Sequence, residues 1–157
     1  MNNNISKLLA LTFSSAFGTG CLLISVVLVE SWRHMEPAAF VDWFSAYGSL
    51  MGVVQLPIEA LGLLFTLIVF IQVARNNHEA TQKVLWFLAL IFSIGAILLL
   101  PLYFAGTNTI LIDKTIDLSQ VADEVERWGF WNWVRTGLSF AAAIMMLIGM
   151  AKDSAKP

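Results

Sequence analysis

Lys7 and Glu30 bracket 22 consecutive residues, Leu8 to Val29, that carry no charge. Such a run meets the requirement of about 20 apolar residues for a helix that crosses a bilayer. The pattern recurs three times. Between Asp42 and Arg75 lie 32 residues whose one charge is Glu59, Val84 to Ala105 carries none, and Trp131 to Ala151 carries only Arg135. The composition agrees: 58% of the 157 residues are hydrophobic and 13% charged, against about 45–50% and about 25% in soluble domains. The expected fold class is an all-α membrane protein, a four-transmembrane-helix bundle forming one membrane domain over residues 1–157, with spans near 8–29, 48–74, 84–105 and 131–151.

A cleavable signal is the competing reading of the first run, but its length exceeds the roughly 7–15 residues of a signal core, so it is read as an anchor. Ser14, Gly18, Cys21 and Ser25 recur in it at helical spacing and predict a face that another helix approaches closely. In the second run the excess length at its start is expected to lie in the interface. Gly48 and Gly52 form a GxxxG pair read as a contact face, and Pro57 predicts a kink. Between Asp117 and Trp128, apolar Leu118, Val121, Val125 and Trp128 alternate with acids at helical spacing, which predicts a short amphipathic helix on the membrane surface before the last span.

Basic residues flanking the spans set the orientation. Lys7, Arg75, Lys83, Lys152 and Lys156 share one side, whereas Arg33, Lys114 and Arg127 share the other. The protein is thus expected to be integral to the cell's cytoplasmic membrane with both termini cytoplasmic. Seven of the eight Trp and Tyr residues, all but Trp86, fall on the outer flanks, either as an interfacial aromatic belt or as an aromatic entrance.

Several classes of chemistry are disfavoured. A net charge of −2 gives no reason to expect nucleic acid as a partner, and one cysteine, Cys21, supports no internal disulfide or thiol relay. His34 and His78 are the only histidines. The topology puts them on opposite sides of a hydrocarbon layer about 30 Å thick, so they cannot share one haem or metal. His34 with Glu36 and Asp42 is too sparse a set to predict a metal site.

The charges inside the apolar runs point to function, because an ionisable group at membrane depth is costly. Glu59 lies about 16 Å down the second helix and Arg135 about 6–10 Å into the fourth at the rise of an α-helix, so both fall in the outer half. A direct or water-bridged pair is expected, either as a structural link or as part of a site. Arg135 snorkelling outward is a further alternative. Gln55 shares a face with Glu59, and Asn132 shares one with Arg135. Asn108 and Tyr103 sit at the outer end of the third span. Together these side chains predict an outer-half polar pocket beneath Trp128 and Trp131.

Thr107-Asn108 with Leu111, then Trp128, Asn132 and Arg135-Thr136 within Arg-Trp-Gly-Phe-Trp-Asn-Trp-Val-Arg-Thr, resemble the anthrone-oxygenase-like family of small four-helix membrane proteins. The likeness is concentrated in the C-terminal third. Members often have Pro where this chain has Gly106, and a histidine near the last-span arginine where it has Asn132. The resemblance implies oxygenation of a polycyclic phenolic molecule such as an anthrone to its quinone, without a cofactor of the usual kinds. In that reading Arg135 and Asn108 hold an oxyanion, Glu59 is the one carboxylate at depth able to act as base, and Gln55, Tyr103, Asn132, Trp128 and Trp131 contact the lipophilic aromatic or quinone-type ligand. The residues themselves specify no cofactor. The alternative is a non-catalytic small subunit or lipid-binding component of a homo-oligomer or larger membrane complex.

Overall fold

The computed structural model describes residues 3–76 and 79–154. His78 and Lys156 lie outside the described residues. Among the described residues four helices are long and apolar enough to cross a membrane: α1 (Asn4–Arg33), α2 (Pro37–Arg75), α3 (Ala80–Ile112) and α4 (Leu118–Lys152). Each expected span falls inside one of them. α1 packs on α2 and α4, and α3 completes the ring between α2 and α4, whereas α2 and α4 hardly touch across the diagonal.

Close approach occurs where small residues meet. A Cβ on Gly18 would lie 3.2 Å from the Ser139 Cβ, and one on Gly62 would lie 3.2 Å from Ser14 Oγ and 3.3 Å from its backbone nitrogen. The small face of α1 is therefore its packing face. The Gly48/Gly52 pair is not a helix contact as expected: Gly48 is covered by Phe44 of its own helix, and nothing lies within 4 Å of a Cβ at Gly52. α2 runs helical through Pro57 from Pro37 at its first turn, where a missing N–H costs nothing. The segment expected in the interface is thus part of the same helix.

Two helices carry π-helical turns, Ile24–Val29 in α1 and Leu100–Phe104 in α3. The second contains Pro101, which cannot donate to the turn before it and whose ring crowds the carbonyl four residues back. The extra residue in the wide turn keeps Leu99 and Phe104, five positions apart, both buried. Two residues past the end of α3 stands Lys114, the one non-glycine residue with positive φ among the described residues (55°). The Thr115 N–H donates to the Ile110 carbonyl (3.0 Å) and that of Lys114 to Leu111 (3.3 Å), so the last carbonyls of α3 are satisfied by a left-handed C-terminal cap.

The expected surface helix is not a separate element. After a 3-10 turn at Leu118–Gln120, the helix Val121–Ser154 runs without a break into the last span. Among its buried residues, Val121, Val125, Trp128, Asn132, Arg135, Ser139, Ala142 and Met146 follow one alternating spacing of four and three, the period of a single packed stripe. Arg33 at the end of α1 clamps this extension with two hydrogen bonds to Glu126, 2.7 and 2.8 Å.

Two of the seven flanking aromatics belong to a core, and Trp43, Tyr103 and Trp131 are half-buried against it. Trp32 and Trp128 are buried and meet edge-on at 5.2 Å, with Phe40, Phe44 and Phe104 around them. Only Tyr47 and Trp133 of the seven are exposed, at 52% and 47%. A second core of Val69, Val73, Trp86, Ala89, Ala142 and Met146 closes the other half of the bundle. The polar site lies between the two.

Candidate functional site

Arg135 of α4 and Glu59 of α2 meet across the diagonal of the bundle. Arg135 Nη2 donates to Glu59 Oε2 and Nε to Oε1 at 3.4 Å. Both side chains are buried. The guanidinium carbon also lies 4.7 Å from the Phe17 ring centre and 5.2 Å from that of Phe104. A charge taken out of water persists only when it is paired, and here the cation is paired with a carboxylate and flanked by two aromatic faces. Its remaining nitrogen, Nη1, makes no hydrogen bond among the described residues.

One turn toward Trp128, Asn132 Nδ2 donates to the Cys21 carbonyl and to Ser25 Oγ, both at 2.8 Å. Both amide hydrogens are used, so the carboxamide oxygen remains as an acceptor. One turn further, Trp128 Nε1 donates to Asn108 Oδ1 at 3.0 Å, which orients the Asn108 amide and leaves its N–H groups to donate.

These groups converge on a cleft with a cavity volume of about 50 Å³, whose wall includes Cys21, Gln55, Asn108, Trp128, Asn132 and Arg135. Of the expected site residues, Gln55, Asn108, Trp128, Asn132 and Arg135 therefore share one wall. Glu59 does not. It lines a separate cavity of about 20 Å³ with Ser14, Ser93 and Ser139, room for about one water molecule. The ion pair thus separates two compartments, with Arg135 facing the cleft and Glu59 facing the serines.

Tyr103 and Trp131 also stand outside the cleft wall. The Tyr103 hydroxyl donates to Glu124 Oε1 at 2.6 Å, a carboxylate also reached by Thr107 and Arg127, and Trp131 packs against Tyr103 at 5.9 Å. Their role is to anchor the N-terminal extension of α4 to α3. Among the described residues no group of three or more His, Cys, Asp or Glu could hold a metal ion. His34 is 77% exposed beside Glu30, and Asp42 pairs with Lys114, so the His34, Glu36 and Asp42 set is not assembled.

Sequence reasoning missed Phe17 and Phe104 as the faces around the guanidinium and Cys21 as cleft wall. It also missed the π-helical turns, which put Ile24, Leu100 and Phe104 on that wall. The step of five from Leu99 to Phe104 around Pro101 was the available signal, because wide turns of this kind frequently mark functional sites.

The sequence profile of the anthrone oxygenase family matches residues 43–145. No curated protein and no solved structure matches the chain. The matched segment covers well over half of the sequence and contains the Glu59–Arg135 pair together with Gln55, Asn108, Trp128 and Asn132 of the cleft wall, so the chain belongs to the anthrone oxygenase family.

Proposed function

We propose that the protein is an integral membrane oxygenase-like enzyme that binds a lipophilic aromatic or quinone-type molecule with its oxygen in the Arg135 cleft. The observation that carries this reading is the arrangement of Arg135. Glu59 holds one edge of the guanidinium, and Arg135 and the oriented amide of Asn108 line the same cleft. Two fixed donors on a largely apolar wall suit an oxygen that gains negative charge during reaction, because in a dry site they need no reorganisation as the charge develops. The Asn132 carboxamide oxygen accepts a phenolic hydroxyl from the same ligand.

For an anthrone, loss of a methylene proton to solvent places the resulting charge on the carbonyl oxygen, where Arg135 and Asn108 stabilise it. Reaction with dioxygen then converts the methylene carbon to a carbonyl. Its two hydrogens leave with the second oxygen atom as water, and the four electrons lost by carbon reduce the dioxygen. Glu59, behind Arg135, acts as a positioning residue that keeps the guanidinium aimed. Both termini are assigned to the cytoplasmic side of the cell membrane, since basic residues favour that orientation.

The test is mass spectrometry and absorption spectroscopy of what co-purifies with the protein in mild detergent. A bound polycyclic phenol or quinone, lost on Arg135→Lys, is the expected result. A stoichiometric partner protein without any such molecule would instead favour the non-catalytic subunit.

A further inference from the structure

The cleft is too small for the ligand that its donors suit. A cavity of about 50 Å³ holds an oxygen and part of a ring, whereas sites for drug-sized molecules occupy roughly 300–1,000 Å³. Beside it, however, an open groove of about 430 Å³ runs between α1 and α2, with Ala16, Gly20, Leu50, Val54 and Ile58 in its wall. Ile24, Met51 and Gln55 line both spaces and form the partition between them. Leu50 and Val54 are 57% and 61% exposed, so no other helix of the chain covers this face, and the groove opens toward lipid.

Gln55 marks what belongs there. Its carboxamide makes no hydrogen bond among the described residues, an expensive state at membrane depth. It lies across α1 only because residue 20 is glycine, since a Cβ there would overlap the amide. An apolar groove that ends at an unsatisfied carboxamide and then at a two-donor cleft fits an uncharged, flat, apolar ring system that leads with an oxygen-bearing edge.

We propose that the groove between α1 and α2 is a lateral portal and ring-binding subsite: the substrate enters from the bilayer past Gln55, its rings stay in the groove, and its oxygen reaches Arg135. The proposal rests on the functional reading above, and the experiment separates the two. Benzophenone is a suitable probe because it is an uncharged diaryl ketone that inserts into nearby C–H bonds under light. The full-length protein in lipid nanodiscs is photolabelled with and without excess anthrone, and adducts are mapped by peptide mass spectrometry. Gly52 lines the cleft, and a Cβ there meets nothing within 4 Å, so Gly52→Phe attaches at an open position and fills the cleft, and its folding is checked by its elution and thermal midpoint in detergent.

The expected result is labelling of Met51 and Val54 that anthrone suppresses at least tenfold, with the label on Met51, which lines both spaces, reduced as strongly by Gly52→Phe, while lipid-facing Leu102 is labelled equally in every sample. Anthrone-sensitive labelling confined to the outer aromatic end, around Met35 and Phe44 and unchanged by Gly52→Phe, would overturn the portal but leave ligand binding standing. Absence of any anthrone-sensitive labelling would overturn both.

Discussion

Replacing either partner of the Glu59–Arg135 pair should have unequal and pH-dependent consequences. Breaking a buried pair by removing one charge costs about 3–5 kcal/mol in soluble proteins, because the other charge is left uncompensated. In Glu59→Gln the arginine cannot lose its proton. It does keep the Phe17 and Phe104 faces at 4.7 and 5.2 Å, each worth about 0.5–2 kcal/mol, and a neutral amide acceptor, which should hold the loss near the lower end of that range. In Arg135→Gln the stranded carboxylate can instead take up a proton. From an ordinary glutamate value near 4.3, at 1.36 kcal/mol per unit, this limits the penalty for the stranded charge, apart from the lost arginine contacts, to about 3.7 kcal/mol at pH 7 and about 1 kcal/mol at pH 5.

Stability should be read from denaturant titrations in one detergent, followed by tryptophan fluorescence, for the single variants and the double variant. The Arg135→Gln deficit should shrink on acidification while that of Glu59→Gln stays constant, and the double variant should recover about 2–3 kcal/mol relative to the sum of the singles. Additivity within about 0.5 kcal/mol, or a pH-independent Arg135→Gln, would refute the argument that these side chains meet in a dry site.

The packing makes further predictions. Gly62→Ala should destabilise the bundle by about 1–3 kcal/mol through overpacking against the Ser14 backbone, whereas Gly52→Ala should be nearly neutral, both read as shifts of the thermal midpoint in detergent. Asn132→Ala, which removes the bonds to Cys21 and Ser25, should cost about 0.6–2 kcal/mol, the range for hydrogen bonds between membrane helices, by the same titration. Asp117 caps α4 by accepting from the Ser119 backbone N–H and hydroxyl, which hold its carboxyl below the usual carboxylate range. That contribution is complete above the ordinary carboxylate value and is lost as pH falls through the depressed one. The stability gap between wild type and Asp117→Ala should therefore close in acid and stay constant above neutrality.

The helices were legible because uncharged runs of this length have one use, and the ion pair was legible because Glu59 and Arg135 are the only charges inside them. The continuity of α4 was obscured by Asp123, Glu124, Glu126 and Arg127, which read as a surface segment. Yet the stripe from Val121 through Arg135 to Met146 keeps one period throughout, and that period was the better guide. The cleft was only partly legible. Face-sharing put Gln55 near Glu59 and Asn132 near Arg135, but which side of the guanidinium each group occupies depends on the diagonal crossing of α2 and α4, which no local pattern encodes. Tyr103 and Trp131 were placed in the pocket by depth alone, whereas a hydrogen bond to Glu124 turns Tyr103 away from the cleft wall.

The most direct test of the account is oxidation of anthrone by isotopically labelled dioxygen in proteoliposomes, measured as labelled anthraquinone formed above the rate in protein-free vesicles. Arg135→Lys keeps a charge opposite Glu59 but loses the second edge of the guanidinium, and removal of one oxyanion donor typically lowers turnover by about 10²–10³-fold. The account predicts one labelled oxygen per anthraquinone with the wild type and a loss of that size with Arg135→Lys and with Asn108→Leu, at unchanged levels of folded protein. Wild-type vesicles no faster than protein-free ones, or an Arg135→Lys variant as active as the wild type, would contradict it.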